Sequence, residues 1–286
     1  MNQGDGSRIG LVGAGRLGAS LAAGLVKAGY RLTVVASERL ESARALARTT
    51  GTGTTATGDP AEVAERADVV FLTVPDSRIA DVCAAIPWAT GHIAVHCSGA
   101  LELDVLATAS VRGAATGCLH PLQTFPSRTP EPERFNGVYC GIEGPEPAGS
   151  LLSRIASDLG ALTFRLDGVD RAKYHAAAVM ASNLVVALAS AAGRLWTQAG
   201  LDPTAGRPAL APLTLAAAQN VSVMELARAL TGPVARGDLT TIERHLTALE
   251  ADASLSDIYR VLSRELLGLP LGHDPATAER LRELFG

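Results

Sequence analysis

The chain has 286 residues, 47% of them hydrophobic and 19% charged, with a formal net charge of −4. That length suggests about two domains with ample core material, and the weak negative charge excludes nucleic acid and anionic membrane as expected partners. The four cysteines, Cys83, Cys97, Cys118 and Cys140, show no paired spacing and no His/Cys cluster has metal-ligand spacing, so neither a disulfide framework nor a metal is expected.

Met1–Gly6 is polar and has no apolar signal-peptide core, so a cytoplasmic chain is expected. The apolar run Ile9–Val12 then leads into Gly13-Ala14-Gly15-Arg16-Leu17-Gly18, a G-x-G-x-x-G pattern. Behind it, Leu17, Leu21, Gly24, Leu25 and Ala28 share one helical face. Strand, glycine turn and helix in that order define a dinucleotide cradle. Gly13 permits the tight turn, Gly15 lets the backbone approach a pyrophosphate, Gly18 packs the helix on its strand, and the helix N-terminus supplies N–H donors.

A second strand, Arg31–Ala36, ends at Ser37-Glu38-Arg39, about twenty residues past the glycines, where the adenosine ribose is read. Arg39 and Ser37 suit a 2′-phosphate and favour NADP; Glu38 argues for NAD. The strand Val69–Pro75 is apolar throughout, as in a parallel sheet covered on both faces. Its end, Val74-Pro75, is expected beneath the nicotinamide ribose, and Asp76 is a natural N-cap for the following helix. Further strands are expected at Ile93–Cys97, Val138–Ile142 and Leu162–Leu166. Helices are expected at Leu40–Arg48, Ile79–Ala85, Leu101–Ala107 and Leu151–Leu159, with a loop over Gln123–Arg134. This alternation predicts a doubly wound parallel Rossmann-type sheet, whose strand ends would gather Gly13, Ser37, Val74 and Ser98 along one crevice.

No convincing strand follows Gly168, so the reading is residues 1–168 as a dinucleotide-binding domain and 169–286 as an all-helical second domain. The apolar run Ala176–Ala192 is interrupted by Ser182, Asn183 and Ser190, too short and too polar for a membrane span. A helix over Val169–Ala199, apolar nearly all round, has to be covered, which points to a homodimer built through the helical domain.

Three segments concentrate polar groups: His96–Ala100, Gly117–Phe125 and Arg171–Asn183. With the glycine turn and helical second half, they resemble the two-domain reductases related to 6-phosphogluconate dehydrogenase, among them ketopantoate reductase and pyrroline-5-carboxylate reductase. The nearer likeness is to a bacterial family with a Rossmann-like domain and a C-terminal domain of unknown function. Its pattern H-x-S-G-A, H-P-L-x-x-F, Y-H-A-A-A-V-x-A-S-N and G-P-x-x-R-G-D is matched here from His96, His120, Tyr174 and Gly232.

The resemblance implies hydride transfer between NADP and a small carbonyl (a keto acid of the ketopantoate kind) or imine, in a cleft between domains. It also implies a proton donor at Lys173, early in the first long helix of the second domain. The asparagine that relatives often carry one turn later is Ala177 here, so His175 is the alternative, and His120 resembles the His-Pro motif of prephenate dehydrogenases. Ser98, at a strand end, is expected to bond cofactor or substrate. Asn183, a polar amide in an apolar helix, needs a partner in substrate, cofactor or subunit. Arg236 can hold a carboxylate in two-point fashion, and Asp238 is expected to cap the helix Leu239–Glu250. A non-catalytic NADP(H) sensor, or a helical scaffold with a relict nucleotide site, stands as the alternative.

Overall fold

The computed structural model describes residues 6–51 and 53–286; Thr52 and all of the polar start except Gly6 lie outside the described residues. Eight strands form one sheet: β1 (Arg8–Val12), β2 (Arg31–Ala36), β3 (Thr55–Thr57), β4 (Val69–Leu72), β5 (Ile93–His96), β6 (Ala115–Pro121), β7 (Tyr139–Glu143) and β8 (Leu162–Arg165). Their order is β3-β2-β1-β4-β5-β6-β7-β8. Every pairing is parallel except β6 with β7. The strand order reverses between β1 and β4, the switch point where such sheets bind ligands at the carboxyl ends of their strands.

Side chains alternate along each strand, so one sheet feeds two cores. Ile9, Leu11, Val35, Phe71, Val95 and Leu119 face the helices α1 (Arg16–Lys27), α2 (Leu40–Thr49) and α6 (Ala148–Asp158). Val12, Val34, Val70, Leu72 and Ala94 face α3 (Val63–Arg66), α4 (Asp76–Ala85) and α5 (Ala107–Val111). The doubly wound reading holds, with one antiparallel strand pair added.

Two strands were not legible in the sequence. β3 is three residues long, polar and at an edge. β6 is the segment read only as rich in polar groups; its Gly117 is required because a Cβ there would lie 2.6 Å from Leu152. Asp76 is not an N-cap: Pro75 holds that position and Asp76 opens α4.

The chain divides into two compact units after Met180, twelve residues later than the sequence suggested. The reason lies in α7 (Arg171–Ala181). Its Arg171 pairs with Glu143 on β7, and its Tyr174 bonds His120 on β6, which ties this helix to the sheet.

The second unit is helical throughout its described residues, as expected. The expected continuous helix is interrupted at Ser182 (φ −128°, ψ −69°), and α8 (Asn183–Gln198) starts immediately after it. α9 (Pro203–Val223) is capped by Asp202, which accepts from Thr204 N, and α8 packs on α9. After the short α10 (Leu226–Ala229) and α11 (Pro233–Arg236), the helices α12 (Leu239–Leu249), α13 (Ala253–Leu266) and α14 (Pro275–Phe285) close around Val234, Ile242, Leu281 and Phe285. Asp238 caps α12 as expected, accepting from Thr241 N at 3.1 Å.

The expectation of a covered apolar helix fails within one chain. Val186 is 72% exposed on α8 and Leu213 68% on α9, with Leu184, Leu188, Leu215 and Val221 also exposed. Nor is the apolar stretch short: α7 and α8 together, Arg171–Gln198, are 28 residues, long and apolar enough to cross a membrane by length and composition.

Candidate functional site

The cleft at the switch point is built by backbone first. Gly13 turns the chain with φ +114°, a left-handed value that disfavours side chains, and a Cβ there would strike the Thr73 carbonyl at 2.7 Å. Its N–H bonds Ala36 O (2.9 Å), and Thr73 Oγ1 donates to Gly13 O (2.7 Å), which fastens the turn to β2 and β4. Gly18 is pressed so closely that a Cβ would lie 2.1 Å from Gly13 O. Gly15 differs: a Cβ there would meet nothing closer than Thr73 O at 3.9 Å. Gly15, the N-cap of α1, lines the cleft, so the room its missing side chain leaves lies at the helix's N-terminus. That is the geometry a pyrophosphate requires.

The cavity measures about 550 Å³. Gly13, Ala14 and Gly15 form one wall, Ser37, Glu38 and Arg39 a second, and Thr73, Val74 and Pro75 a third. Two arginines that the sequence reading missed, Arg78 and Arg128, also line it; Arg128 comes from the loop expected over Gln123–Arg134, whose last residues instead enter a short 3-10 helix at Pro132–Phe135. Four expected cofactor residues do not line the cavity; one of them, Ser98, lies beyond its third wall. Gly18 serves helix packing, Leu17 packs against the core, and Arg16 is exposed at the start of α1.

Beyond the third wall, side chains continue along the same sheet edge. Ser98 Oγ donates to Asp76 Oδ2 (2.7 Å) and accepts from the N–H groups of Ala100 (3.1 Å) and Leu101 (3.2 Å). Ser98 is thus engaged in shaping its turn. Next to it, Gly99 leaves room for the imidazole of His120, which a Cβ at residue 99 would approach to 2.6 Å. His120 Nδ1 lies 2.6 Å from the Tyr174 hydroxyl, with the rings edge to face. Burial first, then the neighbouring His175 and Arg171, bring His120 down to about 4. Burial likewise raises Tyr174 to about 12.

Behind this pair, His96 is fully buried. Its Nδ1 accepts from Ser98 N (3.2 Å), its Nε2 has no partner, and burial followed by the nearby Arg171 lowers it to about 3. Arg171, 3% exposed, pairs through Nη2 with Glu143 while Nε and Nη1 have no partner. Burial disfavours its charge, yet the bond and attraction to Glu143 help to hold the guanidinium proton more tightly than usual.

In the first unit, the expected Lys173 and His175 make no bond to this pair. Lys173 is 88% exposed, with Nζ 3.2 Å from Asp170 Oδ2 on its own first turn. Helix geometry explains the difference. Arg171 and Tyr174, three apart, share the face toward the sheet, while Lys173 points elsewhere. His175 is half-buried, and its nearness helps to lower His120. In the second unit, Asn183 is exposed and accepts from Ser182 Oγ (3.0 Å), and Arg236 is exposed, 4.0 Å from Asp238. Tyr174, Arg171, Glu143 and Asp76 are what the sequence reading missed. Their signal was spacing: the i, i+3 pair on one helix face and a carboxylate just after a strand end. Among the described residues, no group of His, Cys, Asp and Glu could hold a metal ion.

A glycine cradle at the switch point of a mostly parallel sheet, followed by a helical unit, defines the class of Rossmann-type dinucleotide-binding proteins. Residues 8–98 match the family model described as NADP oxidoreductase, coenzyme F420-dependent, and residues 138–266 match a domain of unknown function, DUF2520. The two matches follow one another along the chain in the order its motifs implied.

Among solved structures, it resembles a protein from Bacteroides fragilis described as an NADP oxidoreductase, with 29% identity and a TM-score of 0.72 over 91% of this chain and 97% of that one. It resembles a Thermotoga maritima protein at 27% identity and TM-score 0.75, over 95% and 99%. The fold is also that of a pyrroline-5-carboxylate reductase from Coxiella burnetii, at 20% identity and TM-score 0.60 over 98% and 99%. No curated protein sequence matches significantly.

Proposed function

We propose that this protein is an NADP-dependent reductase acting on a small carbonyl or imine substrate. The observation that carries the reading is the cradle: Gly15 is open to a cleft of about 550 Å³ that the surrounding glycines and Thr73 hold in shape. When bound there, NADPH supplies the hydride. Gly13, Ala14 and Gly15 would hold its pyrophosphate. Arg39 and Ser37 would meet the 2′-phosphate, with Arg78 and Arg128 adding positive charge to the same cleft, and Val74 and Pro75 would lie under the nicotinamide ribose.

The substrate's polar atom is assigned to the Ser98–His120 end of the sheet edge. Lys173 was the proton donor implied by the resemblance; its exposed pairing with Asp170 favours His120 instead as the group that bonds the substrate's polar atom. His175 tunes the charge around His120, Arg236 is proposed to hold a substrate carboxylate, and Asn183 to orient the substrate. A keto acid, a ketopantoate-like one included, and a pyrroline-like imine are the competing substrate classes.

We further infer a homodimer in the cytoplasm, with the exposed apolar faces of α8 and α9 covered by a second copy. Apolar patches beyond a few hundred Å² are rarely left in water.

A screen of NADPH consumption against keto acids, aldehydes and cyclic imines tests the reading. Consumption that depends on one class supports it. Stoichiometric NADPH binding with no turnover on any of them would favour a nucleotide sensor.

A further inference from the structure

We propose that Tyr174 holds His120 as its neutral Nε2–H tautomer, and that this N–H is a hydrogen-bond donor to the oxygen of a carbonyl substrate. The proposal rests on the reductase reading for its substrate and stands on geometry for its tautomer.

The tautomer follows from counting hydrogens. The Tyr174 hydroxyl has one proton and, among the described residues, one polar partner, His120 Nδ1 at 2.6 Å. If Nδ1 carried the proton, it would donate to the phenol oxygen, and the phenol proton would be left half-buried without an acceptor. Leaving a donor unmet costs about 1–3 kcal/mol. With Tyr174 donating, Nδ1 accepts and the imidazole proton sits on Nε2. Nε2 has no protein partner, yet it is not among the sealed, unpartnered atoms, so it keeps access to solvent.

The surroundings are built around this pair. Gly99 leaves the imidazole its place, since a Cβ there would lie 2.7 Å from Nε2. Gly141 does the same for the phenol, where a Cβ would lie 3.1 Å from its oxygen. Phe164 braces the Tyr174 ring edge to face.

The charged and titratable groups acting on His120 come from three elements. His175 and Arg171 on α7 disfavour its cation, Asp76 at the start of α4 favours it, and His96 at the end of β5 is itself neutral. Burial outweighs Asp76, so the ring is uncharged at neutral pH.

A neutral imidazole N–H chooses among substrates. A carbonyl oxygen offers lone pairs and gains negative charge as hydride reaches its carbon, so a fixed N–H aimed at it stabilises what develops, and the proton that completes the alcohol is taken from solvent. A protonated imine has no lone pair on nitrogen and nothing to accept with. The donor therefore points to a ketone or aldehyde rather than an imine that arrives protonated. Tyr174 is a positioning residue and His120 the residue that meets substrate.

The test is nitrogen NMR of protein labelled with ¹⁵N-histidine, from pH 4 to 8, with His120→Gln identifying the signal. The expected result at pH 7 is a protonated Nε2, an unprotonated Nδ1 and a titration midpoint below that of an ordinary histidine. Tyr174→Phe should raise that midpoint by about one unit, because a bond made to the neutral form is lost. A protonated Nδ1, a cationic ring at pH 7, or no change in Tyr174→Phe would overturn the proposal. The wild-type spectrum decides the tautomer even if a variant does not fold.

For the substrate half, His120→Gln should slow carbonyl reduction by about 10². Tyr174→Phe should lower kcat more than it raises KM and move the acid limb of the pH profile upward. Turnover of imines alone, undiminished in His120→Gln, would overturn the donor role while leaving the reductase reading intact. Failure of every substrate would overturn the reductase reading and leave the tautomer result standing.

Discussion

The three glycines of the cradle have different jobs, and alanine distinguishes them. Gly15 has φ −82° and ψ −167°, which alanine adopts without strain, and its added Cβ would come no closer than 3.9 Å to the protein. Losing glycine as N-cap costs a few tenths of a kcal/mol or somewhat more, while reduced freedom of the unfolded chain returns about 0.4–1 kcal/mol. Gly15→Ala should therefore fold as the wild type does, within about 0.5 kcal/mol.

The methyl instead occupies the space left for phosphate. A charge-assisted bond to a backbone N–H is worth about 1.5–3 kcal/mol, and displacing even two of them weakens NADPH about 100-fold or more. Gly18→Ala should fail differently. Its Cβ would fall 2.1 Å from the Gly13 carbonyl oxygen, so the turn must shift at a cost of about 1–3 kcal/mol. A chain of this size then melts about 5 °C lower. Thermal unfolding without ligand, paired with a fluorescence titration of NADPH, separates the two variants. If Gly15→Ala binds NADPH like the wild type, or Gly18→Ala melts unchanged, the cleft has been misread.

Three more expectations use the same molecule. NADPH should bind at least about tenfold more tightly than NADH, and Arg39→Ala should erase most of that gap in a titration; equal wild-type affinities would sink the roles of Ser37 and Arg39. His96 and His120 are lowered by burial to about 3 and about 4, so they contribute stability that is full above the unfolded value near 6.5 and lost as pH falls through their folded values. Each should remove about 2 kcal/mol between pH 6.5 and pH 5, visible as a falling urea midpoint that is shallower in His120→Gln; a flat midpoint across that window would contradict their burial as neutral rings. Val186→Glu or Leu213→Glu should convert a dimer to a monomer in light scattering, and a wild-type chain that is monomeric at micromolar concentration would refute the covering of α8 and α9 by a second copy.

Much of the first unit could be read from the sequence because its signals are local. The glycine turn lies between an apolar strand and a helix, and continuous apolar runs mark β4 and β5. The second unit's helical nature follows from its periodicity. What escaped was non-local. β6 has a glycine, a histidine and a proline in seven residues, and it becomes a strand only because β5 and β7 flank it. Met180 rather than Gly168 ends the first unit because Arg171 and Tyr174 reach back to strands 28 and 54 residues earlier.

In the candidate site, residue type was a better guide than role. His120 was legible from its motif, but its partner Tyr174 lay hidden beside a lysine that looked more chemical. Ser98 was identified as a strand-end hydroxyl; that Asp76 would occupy it depends on a helix starting one residue earlier than its capping pattern suggests.

Label transfer tests the reductase account most directly. The protein is incubated with NADPH deuterated at the transferable position of carbon-4 and with the carbonyl substrate that supports consumption, and the product is examined by mass spectrometry and NMR. The account predicts one deuterium on the former carbonyl carbon, with the rate of its appearance cut by about 10² in His120→Gln. Tight binding of the deuterated cofactor with no label in any keto acid, aldehyde or imine product would contradict it.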